Sequence, residues 1–274
     1  MNNFGLAPLP EDKRDFSLGS IFTFEKPEDL PDEFELKLPY PPKDQKGSDF
    51  CTAYASCGMS ELQEDEILEP AFSFAMSKEI SGGVEVWGQD LRSAMSSHVK
   101  YGALQSSLSL YSVDNKDPDW LREPQNWDAQ ERVMALNHKK KSYFKVVGQY
   151  DAFDDIRLAI HKFQDKKQAV ILGVEWGWGL DTFKIDEKKG GFGHAIYAYG
   201  WFGNYILIRN SYGNSGKGGS HAIHRDIINE YADKYGAFML VDMDQEEAKS
   251  RIKYGIIDTD NWLIRLWKRI WVTS

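Results

Sequence analysis

Cysteine is nearly absent. Cys51 and Cys57 are the only two in 274 residues. Set six apart on one helix, they would point in different directions, so no disulfide is expected between them. Small secreted proteins usually carry more bridges, so the expectation is a reducing compartment or a chain indifferent to oxidation. Long apolar runs are missing too. Stretches such as AVILGV at 169–174 fall far short of the roughly 20 residues a membrane helix needs. The opening MNNFGLAPLPEDKRDF has no apolar core, so no secretory signal peptide is expected and the expected setting is cytoplasmic. Positive charge is in deficit: 33 Lys and Arg against 42 Asp and Glu give a net charge of −9. That balance counts against a nucleic-acid partner, whose backbone is held by clustered cations. No internal repeat and no low-complexity tract is seen. Nothing in the sequence asks for a cofactor or a metal.

What is present is a globular composition, 42% hydrophobic and 14% aromatic. A chain of this length forms one large domain or two small ones. It buries roughly three quarters of its unfolded surface, so its core needs no disulfide or metal.

The chain changes character midway. Residues 1–30 are rich in Pro, Asp and Glu with short apolar islands, and read as an N-terminal arm or short pro-segment. After the turn-forming LPYPPKDQKGSD, a Pro-free stretch from Cys51 fits a helix with Ser48 or Asp49 as N-cap. AFSFAMSKEI and QDLRSAMSSHVKYG predict two further helices, the last closed by Gly102. Residues 112–130 read as a long connection. DAFDDIRLAIHKFQ predicts an amphipathic helix. KSYFKVVGQY, QAVILGVEW, GGFGHAIYAYGWF, NYILIRNSYG and AFMLVDMDQ are strand candidates. A helix-rich first half and strand-rich second half predict an α+β protein of two lobes.

Four polar residues stand out. Cys51 opens the best helix, where the helix N-terminus favours a thiolate. His194, in an apolar strand, is of the right type to pair with it and to protonate a leaving amine. Asn210 ends another strand and has the amide needed to fix a histidine tautomer. Gln45, six before Cys51, has a side-chain N–H suited to an oxyanion hole. Each has an ordinary reading as well: a packed thiol, a core histidine, a turn asparagine, a loop glutamine. The other five histidines, His98, His138, His161, His221 and His224, read as surface or helix residues, and Cys57 as packing.

PPKDQKGSDFCTAYASCGMSE resembles the nucleophile segment of papain-like cysteine peptidases. GHAIYAYG is similar to their histidine strand, and YILIRNSYGNSGKGG to their Asn-Ser-aromatic-Gly segment. Cys51 and His194 are 143 residues apart, within the roughly 130–150 expected of such sites. The likeness spans about 31–245 and marks a peptidase domain there, of a short-leader, non-secreted bacterial or viral type. It implies a helical N-terminal lobe, a β-barrel-like C-terminal lobe and a cleft between them. It implies an endopeptidase acting on polypeptides through a thioester acyl-enzyme, with Cys51 as nucleophile, His194 and Asn210 completing the triad, and Gln45 in the oxyanion hole. Gly82, Gly83 and Gly193 are implied to bind substrate backbone, with Gly88 an alternative to the first two. Tyr212 stands where the family has a tryptophan shielding the His–Asn bond. Ser48 replaces a disulfide cysteine, and Thr52 replaces an aromatic beside the nucleophile. These departures keep open an inactive papain-fold binding protein, for example virion-associated, and acyl transfer to an amine instead of water.

The tail at 246–274 lies outside the resemblance. Trp262, Leu263, Leu266, Trp267, Ile270 and Trp271 share one helical face. The expectation is a helix docked on the body, or one that meets a protein partner or a membrane surface through residues 260–274.

Overall fold

The computed structural model describes residues 5–9, 12, 15, 17–22, 24–177, 181–188 and 190–241. The C-terminal tail and its six-residue apolar face lie outside these residues.

The helical half comes first. α1 (Cys51–Glu64), α2 (Pro70–Ser81) and α3 (Leu91–Lys100) are followed by the short α4 (Pro118–Leu121) and α5 (Ala129–Ala135). Their own core holds Phe50, Tyr54, Phe72, Phe74, Leu121 and Trp127. Phe50 and Phe74 stack at 4.2 Å, and Phe72 meets Trp127 edge-on at 5.4 Å. The connection expected over 112–130 carries structure of its own. Asp128 and Glu131 form a reciprocal capping box that starts α5.

The second lobe is one sheet in the order β2-β8-β3-β5-β6-β7-β4, with β1 added on β5. The strands are β1 (Glu33–Glu35), β2 (Ser142–Lys145), β3 (Val170–Trp176), β4 (Lys184–Ile185), β5 (Phe192–Phe202), β6 (Tyr205–Arg209), β7 (Ser220–His224) and β8 (Ala237–Val241). All pairings are antiparallel except β4 with β7. β3 and β5 are buried along almost their whole length, which is why they read as continuous apolar runs. α6 (Ala152–Lys162) and α8 (Arg225–Tyr235) pack against the sheet, and a short turn of helix, α7 (Ser215–Gly218), precedes β7.

The arm is not a loose leader. Leu18, Ile21, Phe22 and Leu30 are buried in the main core, and Ser17 bridges to Lys145 of β2. From Leu18 onward the arm is therefore part of the second lobe.

The expected N-cap of α1 is not used. Phe50 holds that position without a side-chain cap bond. Ser48 Oγ donates instead to Gln45 O at 2.8 Å, and the Asp49 carboxylate accepts from Gly88 N at 2.6 Å. Both groups that could have capped the helix are committed to loops beside it. Cys51 thus begins α1 with the helix N-terminal N–H groups uncovered by a side-chain cap, as an anion-stabilising end requires.

Candidate active site

Two backbone ladders bring the polar residues together. Gln45 N donates to Ser211 O at 2.9 Å, and Gly213 N donates to Lys43 O at 3.0 Å. The segment before α1 is thereby stitched to the segment after β6. α1 itself packs across β5, and the N–H of Ala195, the neighbour of His194 on that strand, bonds the Cys51 thiol at the junction of the lobes.

His194 Nε2 lies 2.8 Å from Asn210 Oδ1. Since Oδ1 only accepts, Nε2 carries the hydrogen and Nδ1 bears the lone pair in the neutral ring, a tautomer assigned from this network. Asn210 Oδ1 also accepts from Ser211 N at 2.7 Å. Gln45 Oε1 accepts from Ser211 Oγ at 2.6 Å, and its Nε2 donates to Ser48 O at 2.6 Å. The amide is fixed at both ends with one Nε2 hydrogen left over. Tyr212 stacks on His194, ring centres 4.6 Å apart and planes 11° from parallel, with its hydroxyl 3.2 Å from Nδ1. Nearly parallel rings put that hydroxyl over the imidazole face, off the direction of the lone pair, so the contact is chiefly a stacking one. Trp176 adds a second wall, 5.6 Å from His194 and 4.9 Å from His221.

The cleft is occupied by the arm. Gly5 lies on the thiol: a Cβ added there would stand 2.7 Å from Cys51 Sγ. Leu6 N donates to Gly193 O at 3.0 Å, Ala7 N to Gln89 O at 3.1 Å, and Gln89 N to Gly5 O at 3.1 Å. Leu6 and Gln89 thus form a parallel bridge. The Leu6 side chain, 1% exposed, fills a socket over Gly173 beside Tyr235, and a Cβ on Gly193 would strike Leu6 O at 2.3 Å. Farther along, Leu9 N donates to Lys234 O at 3.1 Å, and Asp15 takes a two-pronged bond from Arg92.

This covering sets the electrostatics. Burial pushes the Cys51 thiol up to about 12, with the Ala195 backbone N–H pulling the other way and Asp49 adding to the rise. Burial lowers His194 to about 4, opposed by its bond to Asn210 and reinforced by His221. With the arm in place, thiol and imidazole are both neutral at pH 7.

Of the residues singled out in the sequence, Gln45, Cys51, Gly193, His194, Asn210 and Tyr212 meet at this one place. Gly82 and Gly83 sit on the loop between α2 and α3: Gly82 is the left-handed cap of α2, and the Gly83 carbonyl is taken by Lys78 at 3.3 Å. The backbone that pairs with the arm belongs to Gln89, next to Gly88. No residue-type signal marks a position that acts through its main chain. His98 is the helix residue expected, on α3, but is fully buried between Ser56 and Ser60, whose hydroxyls are 3.0 and 3.4 Å from its ring nitrogens; His221 is neither on the surface nor in a helix but buried on β7. Cys57 is a buried packing residue whose thiol donates to Ser73 Oγ at 3.2 Å. Among the described residues, no group of His, Cys, Asp or Glu is arranged to hold a metal ion, and no helix is long and apolar enough to cross a membrane.

Known structures share this architecture. Xylellain, a cysteine protease from Xylella fastidiosa, superposes with a TM-score of 0.72 at 21% identity, covering 88% of this chain and 97% of that one. ProCathepsin B S9 from Trypanosoma congolense gives a TM-score of 0.60 at 13% identity over 89% and 87% of the two chains. The Carica candamarcensis cysteine protease CMS1MS2, in complex with E-64, gives 0.57 at 16% over 78% and 100%. No family model matches the sequence, and no curated protein does. The chain therefore has the α+β, two-lobe papain-like fold.

Proposed function

We propose that this chain is a cysteine endopeptidase held latent by its own N-terminal arm. The observation that carries the reading is one set of contacts: Asn210 on His194, the N–H of the adjacent Ala195 on the Cys51 thiol at the start of α1, and Gly5 on that thiol. With the arm out, water reaches the thiol and the desolvation that holds it neutral falls away. The His194 lone pair then takes the thiol proton, giving a thiolate at a helix N-terminus beside an imidazolium. The thiolate adds to a peptide carbonyl, and the oxyanion is held by the spare Gln45 Nε2 hydrogen and the Cys51 N–H. As the C–N bond breaks, the amine leaves with the proton from His194 and the acyl group stays as a thioester. Water, deprotonated by His194, adds to the thioester. Collapse releases the acid and regenerates the thiol. The vacated Leu6 socket favours polypeptides with an aliphatic side chain near the scissile bond.

The test is full-length Leu6→Asp with an internally quenched, leucine-containing peptide. Turnover that disappears on adding Cys51→Ala supports the reading. Hydrolysis that survives Cys51→Ala refutes the assigned nucleophile. A second reading, a catalytically silent binding protein, draws on the Thr52 hydroxyl, buried beside the nucleophile without a hydrogen-bond partner. It requires ordinary thiol reactivity even in Leu6→Asp.

A further inference from the structure

The loop joining α2 to α3 forms one wall of the cleft, and it is pinned from beneath by a buried ammonium. Lys78, on the last turn of α2, is 1% exposed. Its Nζ donates to Val86 O and Gly88 O, and to Gly83 O at 3.3 Å. All three of its hydrogens are thus spent on carbonyls of one six-residue stretch, 83–88. A lysine is almost never fully buried unless it is paired, and this one is paired with the loop that ends at Gln89. The Gln89 side chain is tied back to the same turn, donating to Ser81 Oγ at 3.0 Å. Its main chain is left facing the cleft, where both N–H and C=O bond the arm at 3.1 Å.

The other end of this network reaches the nucleophile segment. Asp49, two residues before Cys51, accepts from Gly88 N at 2.6 Å and from Arg122 Nη2 at 3.2 Å. Arg122 in turn lies 4.7 Å from the Trp87 ring. Lys78 and Asp49 therefore grip the two polar groups of Gly88, carbonyl and N–H, from opposite sides. Gly88 is in the left-handed region at φ 72°, so this grip sets the direction in which Gln89 leaves the loop.

We propose that Lys78 is the positioning residue for peptide binding: its ammonium holds loop 83–88 so that the Gln89 backbone meets an extended peptide in register with the Cys51 thiol. The peptide seen in place is the chain's own arm. That a substrate uses the same rail rests on the peptidase reading above; the effect on the arm does not.

The experiment is amide hydrogen exchange by mass spectrometry on full-length Lys78→Met, a volume-matched change that removes every donor. Expected is at least tenfold faster exchange in segments 83–89 and 5–9, with α1 and β5 unchanged. Alkylation of Cys51 should rise by a similar factor while Cys57 stays as it was. The double variant Ser77→Ala/Ser81→Ala removes both bonds of Gln89 Nε2, along with the hydroxyls' own bonds to Phe74 O and Lys78 O, but leaves the Lys78 ammonium in place, and should leave exchange in both segments within threefold. Unchanged exchange at 83–89 in Lys78→Met overturns the proposal. So does loss of cooperative unfolding, because the ammonium would then hold the lobe and not the rail. In the Leu6→Asp background, Lys78→Met should raise KM at least tenfold with kcat within threefold. If Leu6→Asp turns over no peptide at all, the peptidase reading fails, and exchange at 83–89 and 5–9 still decides the role of Lys78.

Discussion

Shortening Leu6 to alanine should loosen the arm by a predictable amount. Leu6 is 1% exposed and fills a socket over Gly173 beside Tyr235. Truncating a buried leucine costs about 2–5 kcal/mol. The socket lies in an open cleft that water can enter, so the lower half of that range applies, about 2–3 kcal/mol. The backbone bonds of Leu6, Ala7, Leu9 and Gln89 break on opening in both proteins, so they set the baseline and cancel in the ratio. At 1.4 kcal/mol per factor of ten, the open fraction should rise about 30- to 150-fold. The assay is iodoacetamide labelling at pH 7, read on the separate Cys51 and Cys57 peptides. Cys57, also fully buried, reports any general loosening. The Cys51 rate should rise by that factor with the Cys57 rate unchanged. A Cys51 rate within threefold of wild type, with Cys57 unchanged, would refute the idea that Leu6 holds the cover. A matched rise at both would refute the idea that the arm opens on its own. The pH dependence has a definite sign. Burial raises the thiol to about 12 from an ordinary 9.0, and Gly5 on the thiol supplies part of that burial, so docking favours the protonated thiol. Its contribution is complete below the open-state pKa and is lost as pH rises toward 12. Once open, the thiol pairs with His194 and ionises below the ordinary 9.0, so wild-type labelling should already climb with pH below 9.

Three further outcomes follow from the same geometry. In the Leu6→Asp background, Gln45→Ala removes an oxyanion donor and should lower kcat about 10²- to 10³-fold with little change in KM. Asn210→Ala in that background frees the imidazole tautomer and should lower kcat at least about tenfold, with His194→Ala more severe still; equal effects on KM alone would argue against both roles. Glu69 is buried at the start of α2, and burial raises its carboxyl to about 7 from 4.5, against the pull of the Ala71 N–H. A carboxyl raised on folding stabilises below its unfolded pKa and loses that contribution as pH rises through the folded one. Glu69→Gln should therefore stabilise the protein at pH 7.5 by up to about 3 kcal/mol, at 1.36 kcal/mol per pKa unit, and have little effect at pH 4; denaturant titrations at the two values check it.

The candidate site was legible because the chemistry proposed for it depends on residue type. A thiol at a helix start, an imidazole in an apolar strand and an Asn-Ser-aromatic turn carry their roles in their side chains. The proposed peptide rail depends on main-chain groups of Gln89, which any residue supplies, so no side-chain type points to it. α8 is readable in RDIINEYADKY, where Ile227, Ile228, Tyr231, Ala232 and Tyr235 are buried at helical spacing. It is not among the helices predicted above. The capping box of α5 is likewise written in Asp128 and Glu131 but sits among prolines and tryptophans that suggest a loop. The fate of Ser48 and Asp49 shows a limit of local reading. Both have N-cap chemistry, and both are drawn off by partners distant in sequence or by the turn before α1. That the arm lays Gly5 on the thiol and Leu6 in the socket over Gly173 is a tertiary fact no local pattern contains.

The central claim, a thiol–imidazole peptidase site lying latent under the arm, is tested most directly by intact-mass analysis. Full-length Leu6→Asp is mixed with a leucine-containing peptide ester and quenched in acid within milliseconds. The account predicts an acyl adduct on the Cys51 peptide, formed before product accumulates and absent in Cys51→Ala. Rapid alkylation of Cys51, proving the cleft open, with neither adduct nor cleavage would contradict it.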